Sequence, residues 1–228
     1  MYRESCHRCF RMKSLCLCDS IQPFTIEPLI ALLVHPREFM KTVGTVRVVK
    51  LSILGSLMIR GHGKDFDQYP TIASIIENPN HHPMILFPGS DSLNLTTASP
   101  EMIASQLPND KRLVIFVIDG TWSAAKNMIR NSQLLNALPR LSFDVDCSSI
   151  YEFRKQPATY CLSTVEAVSV LIENLKIRNL CTPKPLDGHL NMIEGFRKLI
   201  ASQSKFEGQP QHRTGKRFRK GRPAHWGE

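Results

Sequence analysis

The stretch that most constrains the fold of this chain is an apolar run, residues 113–118, that ends at an acid, Asp119. A run without alternation of apolar and polar residues is typical of a parallel strand that is buried on both faces. Gly120 permits a sharp turn after the strand, and Thr121 is a good N-cap for a following helix. These residues therefore predict a strand–turn–helix unit within an α/β sheet.

Asp119 occupies the position where such sheets usually bind their ligands. In open α/β sheets the ligand lies in a crevice at the carboxyl ends of the strands. We therefore expect Asp119 at the mouth of a crevice, with a helix N-terminus and Trp122 beside it. A simpler interpretation is that Asp119 only caps the helix that follows. The residues alone leave both interpretations open.

The rest of the chain continues the alternation of strands and helices. Further strands are predicted at residues 28–34, 84–87 and 141–145, and helices at residues 45–60, 99–107, 163–178 and 187–203. Residues 61–82 are predicted to form a long polar loop. Ser163 followed by Glu166 is a capping-box pattern at a helix start. The alternation predicts an α/β fold, a mostly parallel sheet with helices on both faces.

The length and hydropathy of the chain favour one main domain away from membranes. A chain of 228 residues can bury one large core, to which small appendages are added. It contains no run of about 18 uncharged apolar residues, the minimum for a membrane span. The first ten residues lack the apolar segment of a signal peptide. We therefore expect a cytoplasmic protein without a membrane partner, and nothing in the sequence indicates an obligate protein partner.

Four of the seven cysteines lie close together near the start of the chain, in the pattern C-x2-C-x6-C-x-C. An odd number of cysteines in a cytoplasmic chain favours thiols and metal ligands over disulfides. Four thiolates can close tetrahedrally on Zn²⁺, and such a closed site is structural. The predicted ligands of this knuckle, residues 1–24, are Cys6, Cys9, Cys16 and Cys18. The alternative is a reduced cluster that holds no metal.

Basic residues are concentrated at the two ends of the chain. Residues 205–222 contain seven Lys or Arg and one acid, which is +6 of the formal net charge of +9. A polar, basic segment of this composition, in a tail spanning residues 205–228, is predicted to be disordered and suits contact with phosphate groups. A solubilising tail without a partner is the other interpretation. Near the knuckle, Arg8, Arg11 and Lys13 form a candidate RNA-facing surface.

The tetrapeptide Asp119-Gly120-Thr121-Trp122 resembles the signature of the DTW-domain family of tRNA-uridine aminocarboxypropyltransferases. Other motifs resemble that family in the same order along residues 6–200: Cys6-His7-Arg8-Cys9 with Cys16-Leu17-Cys18, His35-Pro36-Arg37-Glu38 with Lys41, Leu86-Phe87-Pro88-Gly89, Arg154-Lys155-Gln156-Pro157, and Leu162-Ser163-Thr164-Val165-Glu166-Ala167. Many relatives carry Asn-Thr-Gly after the lysine. This chain keeps the glycine, Gly44, but has no asparagine there.

The resemblance implies both a fold and a reaction. DTW domains are similar to SPOUT-type RNA-modifying enzymes, so residues 25–204 would form a SPOUT-like catalytic domain whose C-terminal part threads a trefoil knot. The donor would be S-adenosylmethionine, and the acceptor would be N3 of a tRNA uridine. The 3-amino-3-carboxypropyl group would be transferred, and methylthioadenosine would be released. N3 lies on the Watson–Crick edge, so the target base must be unpaired.

The resemblance also implies roles for the motif residues. Asp119 would be the catalytic residue, either as a general base at N3 or as an electrostatic partner of the sulfonium. The motif loops would hold the donor, and the candidate donor-binding residues are His35, Gly44, Leu86, Phe87, Pro88, Gly89, Gly120, Thr121, Trp122, Leu162, Ser163, Thr164, Glu166 and Ala167. Ordinary helix capping remains open for Ser163 and Thr164, and an ordinary structural role remains open for His35.

Paired cations are the candidate contacts for the RNA backbone. Arg154 and Lys155 precede the 162–167 loop, and Arg217, Arg219 and Lys220 lie in the basic tail. An exposed surface pair is the alternative for Arg154 and Lys155. Two rival functions use the same features: a methyltransferase on this scaffold, and a non-catalytic RNA-binding zinc protein. An acid at a strand mouth disfavours the second, because phosphate binding alone does not call for one.

Overall fold

A six-stranded parallel sheet forms the centre of the computed structural model, which describes residues 4–41, 44–145 and 162–204. Its strands are β1 (Leu29–Val34), β2 (Leu57–Arg60), β3 (His81–Leu86), β4 (Leu93–Asn94), β5 (Arg112–Asp119) and β6 (Arg140–Ser142). Their order is β2-β1-β5-β3-β6-β4, and each neighbouring pair is parallel. The prediction of a parallel α/β sheet is confirmed, and the run before Asp119 is a central strand.

Helices of varied length connect these strands. They are α1 (Pro36–Phe39), α2 (Thr45–Ser52), α3 (Pro70–Glu77), α4 (Pro100–Gln106), α5 (Trp122–Arg130), α6 (Gln133–Ala137), α7 (Thr164–Ile177) and α8 (Gly188–Ser204), with short 3₁₀ helices at Lys13–Leu15, Cys18–Ser20 and Gly63–Gln68. Within the described residues, none of these helices has both the length and the apolar character that crossing a membrane requires.

The sheet is covered by helices on both faces, as predicted. Alternate residues of β1 point to opposite sides because the side-chain period of a strand is two. Ile30 and Leu32 join one core with α2, α4, α7 and α8, whereas Ala31 and Leu33 join the other with α3, α5 and α6. A strand that is buried on both faces has no polar alternation, which explains the continuous apolar runs in β1 and β5.

The prediction of one helix over residues 45–60 is wrong. The helix α2 ends at Ser52, and residues 57–60 form the edge strand β2, which pairs with β1. Gly55 adopts a φ of 78°, a left-handed conformation that suits glycine and turns the chain between the two elements. The β-branched valines of α2 and the short apolar stretch 57–59 fit both a helix and a strand, so periodicity did not separate them.

The prediction of a polar loop over residues 61–82 is also wrong. This segment contains the 3₁₀ helix Gly63–Gln68, the helix α3 and the start of β3. Pro70 opens α3 at its first turn, and Ile72 and Ile75 face the core three residues apart. The strand predicted at residues 141–145 is confirmed in part, since β6 spans Arg140–Ser142. The two-residue strand β4 and the helices α1 and α6 were not predicted.

Candidate active site at the carboxyl end of the sheet

Asp119 is buried at the carboxyl end of β5, with only 2% of its surface exposed. The backbone N–H of His35 donates to the Asp119 carbonyl at 2.9 Å and extends the ladder between β1 and β5. The hydroxyl of Thr164, the first residue of α7, donates to the Asp119 carboxylate at 2.5 Å. The carboxylate is therefore fixed between a central strand and the start of a helix 45 residues further along the chain.

The turn after Asp119 is built by small and capping residues. The side chain of Thr121 accepts the N–H of Ala124 at 3.2 Å and caps α5. A Cβ on Gly120 would lie 3.4 Å from the Cβ of Ala124, so this turn packs closely on the helix. The cap of α5 is thus Thr121, whereas the Asp119 carboxylate points to Thr164. The interpretation in which Asp119 only caps the following helix does not match this geometry.

A cavity of about 720 Å³ opens beside this turn. Nine of the predicted donor-binding residues line it: Leu86, Phe87, Pro88, Gly120, Trp122, Leu162, Ser163, Thr164 and Ala167. They come from the ends of β3 and β5 and from the start of α7, which are far apart in sequence. Its volume lies within the range of about 300–1,000 Å³ that is usual for small-molecule sites. The structure therefore brings most of the predicted loops together around one space.

An aromatic pair forms one wall of this cavity. The ring centroids of Phe87 and Trp122 are 5.6 Å apart, and the guanidinium of Arg140 lies 5.9 Å from the Phe87 centroid. A Cβ on Gly89 would approach the Arg140 Nη1 atom to 2.8 Å, so glycine leaves the room that Arg140 occupies. Gly89 itself is not among the lining residues. Gly89 instead packs closely against the Arg140 side chain.

The start of α7 carries the capping box that the sequence predicted. The Glu166 carboxylate accepts the Ser163 backbone N–H at 2.7 Å and the Ser163 hydroxyl at 2.5 Å. Glu166 is 6% exposed and does not line the cavity. The capping box uses the N–H groups of Ser163 and Glu166, and Thr164, between them, lines the cavity.

Five of the predicted donor-binding residues are not part of the cavity lining: Gly89, Thr121 and Glu166, described above, and His35 and Gly44. The Nδ1 atom of His35 accepts the Arg37 N–H at 3.2 Å and caps α1, and its ring meets the His62 ring at 5.2 Å. Burial, together with the neighbouring His62, lowers the pKa of His35 and keeps its ring neutral near pH 7. Gly44 is the N-cap of α2, and a Cβ there would meet nothing closer than 3.7 Å. Neither contact requires a ligand.

Several cavity residues were missed by the sequence analysis. They are Val117, Ile118, Ala125, Lys126, Leu141, Ser142, Phe143, Asp144 and Val145. Two of them are charged. Lys126 is exposed on α5, one turn after Trp122, and Asp144 follows β6 and accepts the Asn94 side-chain N–H at 2.8 Å. The only sequence signal for Lys126 was its helical spacing from Trp122, because its role depends on which strand lies opposite.

The four cysteines of the knuckle form a compact sulfur cluster. The Sγ atoms of Cys6, Cys9, Cys16 and Cys18 all lie within 4.8 Å of one another. The Cys6–Cys18 and Cys9–Cys16 pairs are 3.7 and 3.8 Å apart. Tetrahedral Zn²⁺ with Zn–S bonds of about 2.3 Å requires sulfur separations of about 3.8 Å. The donor set and its spacing therefore fit a four-sulfur metal site.

The charges around the cluster also favour a dication. The backbone N–H groups of Cys9 and Arg8 lower the pKa of Cys6 to about 6, whereas burial and the adjacent thiols raise that of Cys18 to about 12. Four neighbouring thiols cannot all ionise near pH 7 unless a cation joins them. The guanidinium of Arg11 adds positive charge, since the charges of Cys9 and Cys16 partly offset the lowering of its pKa by burial.

The predicted RNA-facing residues of the knuckle differ in exposure. Arg8 is exposed, and Lys13 is exposed and pairs with Glu4 at 2.6 Å. Arg11 is only 4% exposed and lies against the sulfur cluster, so its charge serves the thiolates and cannot face RNA directly. The other predicted contacts lie outside the described residues: Arg154, Lys155, Arg217, Arg219 and Lys220.

An arginine connects the knuckle with the carboxyl end of the sheet. The Arg47 guanidinium lies 5.2 Å from the Phe10 ring centroid and donates to the Phe39 carbonyl at 2.6 Å. Burial lowers the pKa of Arg47, and the negative charges of Cys9 and Asp119 oppose that shift. The Arg47 guanidinium therefore interacts electrostatically with both the sulfur cluster and the buried Asp119.

Comparison with models of known protein families identifies the family of this chain. The DTW domain model matches residues 3–203, which covers the knuckle, the sheet and α7 and most of α8. The chain belongs to the DTW-domain family. The DTW domain thus includes both the four cysteines and the Asp119 strand. No solved structure matches the chain.

Curated relatives of this DTW domain are 25–28% identical to it over the aligned residues. The tRNA-uridine aminocarboxypropyltransferase 2 of Mus musculus is 26% identical over 203 residues, 88% of this chain and 66% of the mouse protein. The Macaca fascicularis protein of that name is 28% identical over 181 residues, 78% and 58% of the two lengths. The tRNA-uridine aminocarboxypropyltransferase A of Arabidopsis thaliana is 25% identical over 231 residues, 90% and 82%. The chain thus spans less than two thirds of the mouse and macaque proteins.

Proposed function

We propose that this chain is a transferase that moves the 3-amino-3-carboxypropyl group of S-adenosylmethionine to N3 of a uridine in tRNA, releasing methylthioadenosine. The observation that carries the proposal is the buried carboxylate of Asp119, which does not itself line the cavity of about 720 Å³ but accepts the hydroxyl of Thr164, a residue of its lining. Membership of the DTW family and the names of the curated relatives supply the substrate class.

The reaction forms one bond and breaks another. N3 of the uridine attacks the γ-carbon of the donor, the S–Cγ bond breaks, and its electron pair returns to sulfur as a neutral thioether. The N3 proton must leave before or during this attack. Asp119 accepts that proton, or its charge faces the sulfonium and the uridine proton leaves to water. Both roles require the ionised carboxylate that the Thr164 hydroxyl holds in place.

The cavity has features that fit each part of the donor. The Phe87–Trp122 pair offers an apolar wall for an adenine ring. Lys126 provides a cation for the donor carboxylate, and Thr164 provides a backbone amide at the start of α7. Asp144 provides an acid for the donor amino group. We favour Lys126 over the α7 N-terminus for the carboxylate, because Glu166 already places a negative charge there.

The zinc that we propose for the knuckle has a structural role. The four cysteine sulfurs would supply all the ligands of a structural zinc, which would leave no position for a substrate. When bound, the ion would fix the positions of the knuckle residues, including the exposed Arg8. RNA binding by this surface, by Arg154 and Lys155 and by the basic tail belongs to the same proposal.

The division of the chain follows from the same reasoning. In this proposal residues 1–24 form the knuckle, residues 25–204 form the catalytic domain, and residues 205–228 form a basic tail. The protein would act on tRNA in the cytoplasm. A SPOUT-like trefoil knot in the C-terminal part remains a proposal from the family resemblance, and the parallel sheet is compatible with it. A crystal structure of the whole chain would test the knot.

One experiment separates the proposed function from its rivals. The protein is incubated with an unmodified tRNA transcript and two samples of S-adenosylmethionine, one labelled on the aminobutyrate carbons and one on the methyl carbon. Mass spectrometry of the digested nucleosides then reports which label arrives on uridine. Arrival of the aminobutyrate label supports the proposal. Arrival of the methyl label identifies a methyltransferase, and tRNA binding without transfer of either label supports a non-catalytic RNA-binding protein.

A further inference from the structure

Two aromatic rings and two guanidinium groups alternate along the surface between the knuckle and the sheet. The Arg47 guanidinium lies 5.2 Å from the Phe10 ring centroid and 5.7 Å from that of Phe39, and Arg60 lies 5.3 Å from the Phe39 centroid. The two rings are 6.5 Å apart. We call these four residues the aromatic–arginine strip.

The strip ends beside the candidate catalytic acid. Arg60 is the last residue of β2 and pairs in register with Val34, which pairs in turn with Asp119. Two strand spacings of about 4.8 Å therefore separate the backbones of Arg60 and Asp119 by about 10 Å. That distance is close to the span of one or two nucleotides. A nucleic acid strand whose target base lies near Asp119 can therefore reach the strip with a neighbouring nucleotide.

Phe10 occupies an unusual backbone position and remains exposed. Its φ is 56°, in the left-handed region that glycine and asparagine adopt more readily than aromatic residues. The turn is held by the Phe10 N–H to Cys6 carbonyl bond at 2.8 Å and the Cys6 N–H to Arg11 carbonyl bond at 2.6 Å. The Phe10 side chain is nevertheless 52% exposed. Contacts within the protein therefore cover only about half of the Phe10 surface.

We infer that the aromatic–arginine strip binds unpaired nucleotides of the RNA substrate beside the target uridine, with Phe10 stacking on a base and Arg60 contacting a phosphate. This inference rests on the proposed function, because it takes tRNA as the substrate. Aromatic rings and guanidinium planes stack on splayed bases in many single-stranded RNA sites. The strip offers both kinds of surface together with two positive charges, which complement the RNA backbone and suit neither an apolar nor a cationic partner.

The four residues have different parts in this site. Arg47 is half-buried and donates to the Phe39 carbonyl, so it positions the two rings. Arg60 is exposed at the end of the strip and is the candidate phosphate contact. Phe10 presents the free ring surface. The readouts for Phe10 and Arg60 are therefore different: base stacking for the ring and salt dependence for the guanidinium.

The test measures RNA binding without the donor, so that it does not depend on the group transferred. The probes are a labelled unmodified tRNA transcript, a single-stranded oligouridylate of about twelve nucleotides, and a blunt RNA duplex of similar length. Phe10→Asn removes the ring but suits the left-handed backbone, and we expect it to weaken tRNA and oligouridylate binding about tenfold while duplex binding stays unchanged. Phe10→Tyr keeps a stacking ring and should bind nearly as the wild type does.

The charge of the strip is tested by a second variant and by matched controls. Arg60→Gln should lower the slope of log affinity against log salt by roughly 0.7–0.9, as expected for one lost phosphate contact. The controls are Leu54→Ala, at a residue that is 56% exposed, and Lys111→Gln, at the amino end of the sheet just before β5. Both should bind the three probes as the wild type does.

The outcomes distinguish this inference from the proposed function. If Phe10→Asn and Arg60→Gln bind tRNA as the wild type does, while the wild type transfers the aminocarboxypropyl group, only the strip inference is wrong. Equal weakening for duplex and single strand would also overturn it, because base stacking requires unpaired nucleotides. If the wild-type protein binds no tRNA, the proposed function itself fails.

Discussion

Removing the charge of Asp119 without changing its shape is the most direct perturbation of the candidate site. Asp119→Asn keeps an oxygen that can accept the Thr164 hydroxyl, whose present distance to the carboxylate is 2.5 Å. It abolishes the negative charge that either proposed role requires. Loss of a general base or of a preorganised charge typically lowers turnover by about 10²–10⁴-fold. This corresponds to about 2.7–5.4 kcal/mol of barrier, at 1.36 kcal/mol for each factor of ten.

The folded state should tolerate this change well. Asp119 is 2% exposed, and burying a carboxylate costs desolvation free energy that a neutral amide largely avoids. The loss of the charge near Arg47 opposes that gain, so we expect the free energy of unfolding to change by no more than about 1 kcal/mol. Thr164→Val provides the matched control, because it keeps the charge and removes the hydrogen bond that orients it. It should lower turnover by only about tenfold, in line with the roughly 1.5–3 kcal/mol of a charge-assisted hydrogen bond partly replaced by water.

The assay is single-turnover transfer from labelled S-adenosylmethionine to unmodified tRNA at saturating concentrations of both, with tRNA affinity and thermal unfolding measured in parallel. Asp119→Ala should show the same loss as Asp119→Asn. If either Asp119 variant retained more than about a tenth of the wild-type turnover, the assignment of Asp119 would be refuted. A large loss of stability or of tRNA affinity in Asp119→Asn would instead assign the residue to the fold.

Three further predictions concern the metal, the tail and pH. Elemental analysis of protein purified without chelator should find one zinc per chain, and active protein with no metal would contradict the four-cysteine assignment. Deleting residues 205–222 should weaken tRNA binding and lower its salt dependence by a few units at most, and should leave the modified uridine and saturated turnover unchanged. Burial lowers the pKa of His189, which is 0% exposed, so the unfolded state binds the proton more tightly and stability should fall as the pH drops below about 6.5. Urea unfolding at pH 7 and pH 5.5 should show a smaller difference for His189→Gln than for the wild type.

The sequence predicted the centre of the fold because burial on both faces leaves a clear pattern. The runs that became β1 and β5 have no polar interruption, and the Ser163–Glu166 capping box marks the start of α7. The periphery was harder, since a short apolar stretch such as residues 57–59 fits a helix and a strand equally. The edge strand β2 depends on pairing with β1, a contact 26 residues away in register that local propensity does not encode.

In the candidate site, too, residues with a local sequence signal were predicted, and residues placed by long-range strand pairing were not. Asp119, Trp122 and the Leu86–Phe87–Pro88 loop stood at the ends of recognisable strands, and most of them surround one cavity. Asp144 and Arg140 were missed because their place near the cavity depends on β6 lying next to β3 rather than next to β5. Sequence order offers no local signal for that arrangement. Arg11 was misread for a related reason, since a basic residue beside cysteines can serve the thiolates as well as a nucleic acid.

Arg47 suggests how a structural metal can influence a reaction that it does not touch. Its guanidinium interacts with the charges of both Cys9 and Asp119, and it packs against Phe10 of the knuckle. Without a bound metal, the turn that carries Phe10 would be held less rigidly. Arg47 would then lose its contact with the Phe10 ring and keep only its contact with Phe39. The positive charge beside Asp119 would then be less well positioned, although no ligand of the metal contacts the substrate. Metal removal should therefore weaken tRNA binding most, reduce turnover less, and affect donor binding least, because the cavity wall of Phe87 and Trp122 lies after β3 and at the start of α5, away from the knuckle.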